Sequence, residues 1–229
     1  MNIQLYPSTM CLDFDHLEEE ISALNDAQVD GFHVDIMDGR FVRNFAPLAN
    51  LLRVRPLTDK PIGVHLMVED PAEYLPRIYA CRPEVIYVHY EVARCREYLL
   101  DIRAQGIKAG MVVSPGTTIS QFKHLLPHVD ILLIMRVKPG YIGQPNVPEV
   151  EDKIDLLTQM KNRTFALALD GCVTHEIVQK WRAAGVERFV CGMSSKLFDA
   201  KSCSSANYSR VLEALRAGGC APGAERVIQ

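Results

Sequence analysis

Eight short apolar runs recur along the chain, each followed by a stretch of helical character, and this alternation limits the fold more than any other feature. The runs are residues 3–8, 31–37, 61–68, 85–91, 108–114, 131–137, 165–170 and 188–193. Their β-branched residues and their Gly, Pro and Asp punctuation favour strand over helix. The segments between them place apolar residues at helical spacing. Leu17, Ile21 and Leu24 form one such stripe, with Asp13 as the expected N-cap. Gly106 is a natural stop for the helix over 96–105, and Asp70 with Pro71 forms a cap and first-turn pair for a helix that Pro76 should bend. Residues 147–161, 174–185 and 205–218 have the same helical character. The weakest helical segments follow the second run, where 44–54 is short and proline-interrupted, and the fifth.

Eight strand–helix units describe a (β/α)8 barrel, an α/β fold of about 200–250 residues, and the chain has 229. Residues 1–217 are assigned to that single domain and 218–229 to a frayed C-terminal tail. An open doubly wound sheet would want a Gly-rich phosphate loop after the first run, and "YPSTMCLD" offers none. The net charge of −3 and the absence of any basic run give no surface for nucleic acid. No stretch of about 18 apolar residues predicts a membrane span. The start "MNIQLYPSTM" does not read as a signal peptide. The seven cysteines form no C-x-x-C pair, which argues against a thiolate zinc site, and their odd number predicts reduced thiols in a cytoplasmic protein.

In such a barrel, chemistry sits at the C-terminal ends of the strands, and polar residues interrupt the apolar runs there. The first run ends in Ser8, the second carries His33, Asp35 and Asp38, the third His65, the fourth His89, and the seventh ends in Asp170. Strand side chains alternate faces, so His33, Asp35 and Met37 share one face, as do His65 and Met67. Asp38 has the opposite parity and is expected to shape the following loop. Burying imidazoles and carboxylates without partners costs on the order of several kcal/mol. His33, Asp35, His65 and Asp170 together would suit one divalent zinc, manganese, iron or cobalt ion, and would not suit calcium. A lone strand histidine is more often a hydrogen-bonded core residue, and a strand-end aspartate a cap. Spacing alone leaves both readings open.

The segments "HVDIMDGRFV", "VHLMV", "VHYE", "MRVKPGYIGQ", "LDG" and "CGMSSKLF" occur in that order. From about Tyr6 to Phe198 the chain resembles the ribulose-phosphate 3-epimerase family. The resemblance implies a TIM barrel that binds one divalent metal, inverts C3 of a ketose phosphate and assembles as a homo-oligomer. His33, Asp35, His65 and Asp170 match the metal ligands, and Asp35 and Asp170 also match the two acid/base carboxylates. Ser8, His65 and His89 match polar groups around the substrate, and Met37, Met67 and Met135 match methionines lining the reaction centre. The phosphate would lie against Gly140, Gly143 and Gln144, Gly171, and the turn with Gly192, Ser194 and Ser195.

Several positions depart from the family pattern. Ile142 and Cys172 each replace a glycine, the turn after Gly192 is longer, and Arg43, Arg136 and Lys138 add charge. A β-branched Ile142 disfavours positive φ, so its loop should take a different shape. The "MCLD" start is similar to the allulose-6-phosphate 3-epimerase branch, which leaves five- and six-carbon ketose phosphates open. A decarboxylase of the orotidine-phosphate type would carry D-x-K-x-x-D, and the second run has no lysine. The altered phosphate loops would also fit a silent sugar-phosphate-binding paralogue, although such a chain has no reason to keep four buried polar groups together.

Overall fold

In a computed structural model, residues 3–198 and 204–217 are described; the expected tail at 218–229 lies outside them. The strands in chain order are β1 (Gln4–Pro7), β2 (Phe32–Asp38), β3 (Phe45–Ala46), β4 (Ile62–Met67), β5 (Val85–His89), β6 (Lys108–Val113), β7 (Ile131–Met135), β8 (Ala166–Asp170) and β9 (Arg188–Cys191). Their sheet order is β1-β9-β8-β7-β6-β5-β4-β2-β3. Every neighbouring pair is parallel except β2 with β3. A parallel bridge between Ser8 and His33 joins β1 to β2 and closes the barrel. The eight expected strands are all present. The two-residue β3, which folds back on β2 by pairing Met37 with Ala46, was not foreseen.

The helices are α1 (Leu17–Asp26), α2 (Ala49–Val54), α3 (Leu75–Ala80), α4 (Cys95–Ala104), α5 (Ile119–Phe122), α6 (Val150–Thr158), α7 (His175–Ala183) and α8 (Ser205–Ala217). The two expected weak ones, α2 and α5, are the shortest outside the split α3, and α5 runs on as a 3-10 turn over Lys123–His128. Asp13 does not cap α1. Its Oδ1 accepts from the Asp15 amide at 2.9 Å in a local turn, and the helix starts later, after His16. Asp70 caps a short 3-10 turn instead of α3 itself. Pro76 sits in the first turn of α3, where a missing N–H costs nothing, so the segment divides there and does not bend. Gly106 follows α4 with φ +73°, as a helix stop requires. Among the described residues no helix is long and apolar enough to cross a membrane.

Strand parity builds the core in two layers. Phe32, Val34 and Ile36 of β2, with Ile62, Val64 and Leu66 of β4, pack outward under the helices. The alternate residues Tyr87, Val112, Leu133, Ala168 and Val190 fill the barrel interior. Near the strand starts the interior is plugged by Tyr87 and Arg188. Gly110 makes room for the Tyr87 ring, because a Cβ there would stand 2.2 Å from it. Arg188, 2 % exposed, lies over the Tyr6 ring at 4.0 Å. It donates to Tyr87 Oη at 3.0 Å, Gln4 Oε1 at 2.8 Å and Glu84 Oε2 at 3.0 Å. Glu84 also accepts from Tyr6 at 2.6 Å and Lys108 at 2.8 Å. This end of the barrel is therefore polar, with the Arg188–Glu84 network paired within the chain.

Burial alone would raise the Glu84 pKa, but Arg188, Lys108 and Tyr6 outweigh it and hold the carboxyl below its ordinary value of 4.5. A carboxylate depressed in the folded state contributes stability above its unfolded pKa, and that contribution is lost as pH falls through the folded value. The urea midpoint of the native chain should therefore fall on acidification below about pH 4.5, and Glu84→Gln should flatten that fall. Identical acid limbs for the two proteins would contradict this.

Candidate active site

The inward face of β2 and β4 delivers its polar residues to the end of the barrel opposite the Arg188 plug. Parallel register sets Asp35 beside His65, and the Ser8–His33 bridge brings β1 alongside. Asp170 ends β8, which reaches β2 only through β9 and β1, so the two aspartates approach from separated strands. His33, Asp35 and His65 are 1 %, 7 % and 0 % exposed. One donor atom from each of the four residues falls within 4.8 Å of all the others.

His65 Nδ1 lies 3.1 Å from Asp35 Oδ1 and 3.9 Å from Asp170 Oδ2. His33 Nε2 lies 3.3 Å from both Asp35 Oδ1 and His65 Nδ1, and 3.8 Å from Asp170 Oδ2. Metal–donor bonds of about 2.0–2.1 Å in a tetrahedral site set the donors about 3.3 Å apart. The cluster fits a divalent transition metal in size and in donor chemistry, and these four residues could hold one. Ser8 Oγ donates to the other oxygen of Asp35 at 3.0 Å and fixes that carboxylate.

The electrostatics separate the two carboxylates. Burial disfavours charge on Asp35, but His33 and His65 outweigh it and hold its pKa well below the carboxylate range. Burial pushes Asp170 upward, and the Asp35 charge adds to that against the pull of His33 and His65. Groups pushed apart in this way suit unlike acid and base roles.

A pocket of about 680 Å³, counting the space open at its mouth, covers the cluster. Asp35, Asp170, Ser8, Met37, Met67 and Met135 line it, with Gly140, Gly143, Gln144, Gly171, Gly192 and Ser194. Three residues expected against the substrate lie elsewhere. His65 offers its nitrogen to the cluster from behind the wall. His89, 0 % exposed, stands behind His65, with the two Nε2 atoms 2.9 Å apart. Burial and the neighbouring His65 lower the His89 pKa to about 4, against the pull of Glu91. Ser195 turns into its own loop, donating to Gly192 O at 2.6 Å. Asp38 shapes the β2–β3 loop as expected, accepting from the amides of Arg40 and Phe41 and from the Glu69 amide in the loop after β4. Sequence reasoning used Met10 and Cys11 only as part of the "MCLD" start and did not place them, or Met193, on the wall, although "TMC" directly follows Ser8.

Residues 4–198 match the model of the ribulose-phosphate 3 epimerase family. The chain belongs to this family. A Synechocystis protein named ribulose-phosphate 3-epimerase is 36 % identical over 223 residues, 94 % of each chain. One of the same name from Bacillus subtilis is 34 % identical, covering 83 % of this chain and 90 % of its own. Among solved structures, a tryptophan synthase alpha-subunit mutant from Pyrococcus furiosus superposes with a TM-score of 0.69 at 15 % identity, covering 93 % of this chain and 97 % of its own. At that identity the likeness concerns the barrel fold only.

The backbone accommodates the residues singled out in these loops. The left-handed positions of the β7–α6 loop are Gly140 and Gly143, with φ of +111° and +77°, and Ile142, which disfavours positive φ, is not among them. Cys172 does adopt positive φ, +48°, and its thiol donates to Gln144 O at 2.8 Å, tying the two loops together. Arg136 is buried and spent on structure, donating to the carbonyls of Gly171 and Cys172 and to Glu151. Asn44 holds Gly140 O at 2.6 Å, and the Tyr141 hydroxyl reaches Arg43 O. Gly171 combines φ of +92° with close approach, since a Cβ there would stand 2.7 Å from Val137 Cγ2. Gly171→Ala should therefore cost about 1–3 kcal/mol of stability in urea unfolding; an unchanged midpoint would show that the loop has another shape.

Proposed function

We propose that the chain is a metal-dependent ketose-phosphate 3-epimerase that interconverts D-ribulose 5-phosphate and D-xylulose 5-phosphate. The observation that carries this is the convergence of two carboxylates, from strands separated by β9 and β1, on a four-donor cluster beneath an open pocket. The family membership and the names of the curated relatives support the substrate. His33, Asp35, His65 and Asp170 are the residues that would hold zinc, manganese, iron or cobalt. When bound, such an ion supplies the positive charge that lets a proton alpha to a ketone be removed.

The chain's own residues do the rest. Epimerisation at C3 needs a proton taken from one face of the carbon and another delivered to the opposite face. Asp35 and Asp170 are assigned these two positions, one ionised and one protonated, with roles exchanged in the reverse direction. Ser8 keeps Asp35 oriented through its hydrogen bond. Met37, Met67 and Met135 form an apolar, polarisable wall that excludes water beside the planar intermediate and cannot protonate it. The substrate phosphate is assigned to the glycine-rich wall of Gly140, Gly143, Gly171 and Gly192, where backbone can approach closely, with Lys138 contributing charge on the same wall.

The test is turnover on D-ribulose 5-phosphate and on D-allulose 6-phosphate, run in D2O. The five-carbon substrate should be epimerised faster, with solvent deuterium entering at C3, and EDTA should abolish the reaction reversibly. Asp35→Asn and Asp170→Asn should each lower kcat by about 10²–10⁴-fold. A fully active Asp170→Asn enzyme would contradict the two-carboxylate assignment, and preference for the six-carbon sugar would move the chain to the other substrate.

A further inference from the structure

Behind the cluster runs a line of hydrogen bonds that ends on a carboxylate outside the pocket. His65 presents Nδ1 to Asp35 and His33 and turns Nε2 away, 2.9 Å from His89 Nε2. His89 Nδ1 lies 3.0 Å from Glu91 Oε2. The other oxygen, Glu91 Oε1, accepts from the Ser114 amide at 3.0 Å and from the Thr117 hydroxyl. Neither histidine is exposed, and Phe41 packs on His89 with ring centroids 4.7 Å apart.

With a cation in the cluster, the Asp35 carboxylate and the lone pair of His65 Nδ1 both turn to it, and the remaining contacts then dictate where the protons sit. A carboxylate only accepts, so Nδ1 of His89 carries the proton. On the neutral ring, His89 Nε2 is then an acceptor. His65 must donate to it from Nε2, which leaves the lone pair of His65 Nδ1 facing the other three cluster residues. An imidazole can ligate a cation only through such an unprotonated nitrogen, and the partner of its other nitrogen sets which one that is.

We propose that Glu91 and His89 are positioning residues that lock His65 in the tautomer whose Nδ1 faces the cation site. The proposal rests on the reading of the His33–Asp35–His65–Asp170 cluster as a metal site. It gives distinct jobs to the two polar residues of "VHYE", neither of which lines the pocket. Glu91→Gln provides a nearly isosteric probe. To keep the Ser114 amide bond, the new carboxamide must point its oxygen at Ser114 and its NH2 at His89. His89 Nδ1 would then have to accept, and the proton order would reverse along the line. His65 would be left with its proton on Nδ1, where it blocks the cation.

The experiment measures zinc affinity by competition with a chromophoric chelator, thermal stability, and histidine tautomers by long-range 1H–15N correlation of the 15N-labelled, zinc-loaded chain. The native protein should carry its protons on His89 Nδ1 and His65 Nε2. Glu91→Gln should bind zinc about 10–100-fold more weakly with little change in melting temperature. A merely structural Glu91 would lower the melting temperature and leave zinc affinity within twofold, which overturns the proposal. Should Glu91→Gln fail to fold, the native spectrum decides: a proton on His89 Nε2 overturns it. A native chain that takes up no zinc overturns the metal reading, and the positioning role falls with it. Native zinc binding matched by the variant overturns the positioning role alone.

Discussion

Two imidazoles and two carboxylates crowd together at one end of this barrel, and the rest of the architecture is organised around making that tolerable. Donor atoms 3.1–3.9 Å apart in a largely buried site would repel or demand protons if left alone. A single cation between them resolves the conflict, because carboxylate repulsion becomes shared attraction and the imidazoles stay neutral. The same cation would sit where charge develops when a carbon acid loses its proton. One device thus stabilises both the site and the reaction that the site is assigned.

The two ends of the barrel spend buried charge in opposite ways. At the strand starts, Arg188, Glu84, Lys108, Tyr6 and Tyr87 satisfy one another within the chain. At the strand ends, the convergent donors are aimed at a common point and open onto a pocket. Beyond that point the chain pairs its groups again, through His89 and Glu91 to the start of the β6–α5 loop. Anchoring runs outward in each direction from the site: Ser8 holds Asp35, Arg136 holds the loop after Asp170, and Asn44 holds the loop at Gly140.

The sequence made the strands and their inward faces legible because strand parity is strict. Once His33 and Asp35 share a face with Met37, the out-facing Phe32, Val34 and Ile36 must pack under helices, and they do. The four-residue cluster followed from placing such residues at strand ends. Depth along a strand was harder to read. His89 has the parity of a pocket residue but sits a layer behind His65, and only coordinates separate those two positions. Glu91 went unremarked because it was read only as the last residue of the run 85–91, whereas β5 ends at His89 and Glu91 turns back onto that histidine. Asp13 failed as a cap because its carboxylate was taken by the nearer Asp15 amide. Ile142 was expected to avoid positive φ, and the flanking Gly140 and Gly143 carry the left-handed turns, a division of labour that residue types alone do not reveal.

The central claim is that one divalent cation organises the C-terminal end of the barrel. Anomalous diffraction across the zinc edge, from crystals grown with stoichiometric zinc, tests it most directly. The account predicts a single peak per chain, about 2.0–2.2 Å from His33 Nε2, His65 Nδ1 and one oxygen each of Asp35 and Asp170. The absence of a peak there, or coordination of His65 through Nε2, would contradict it.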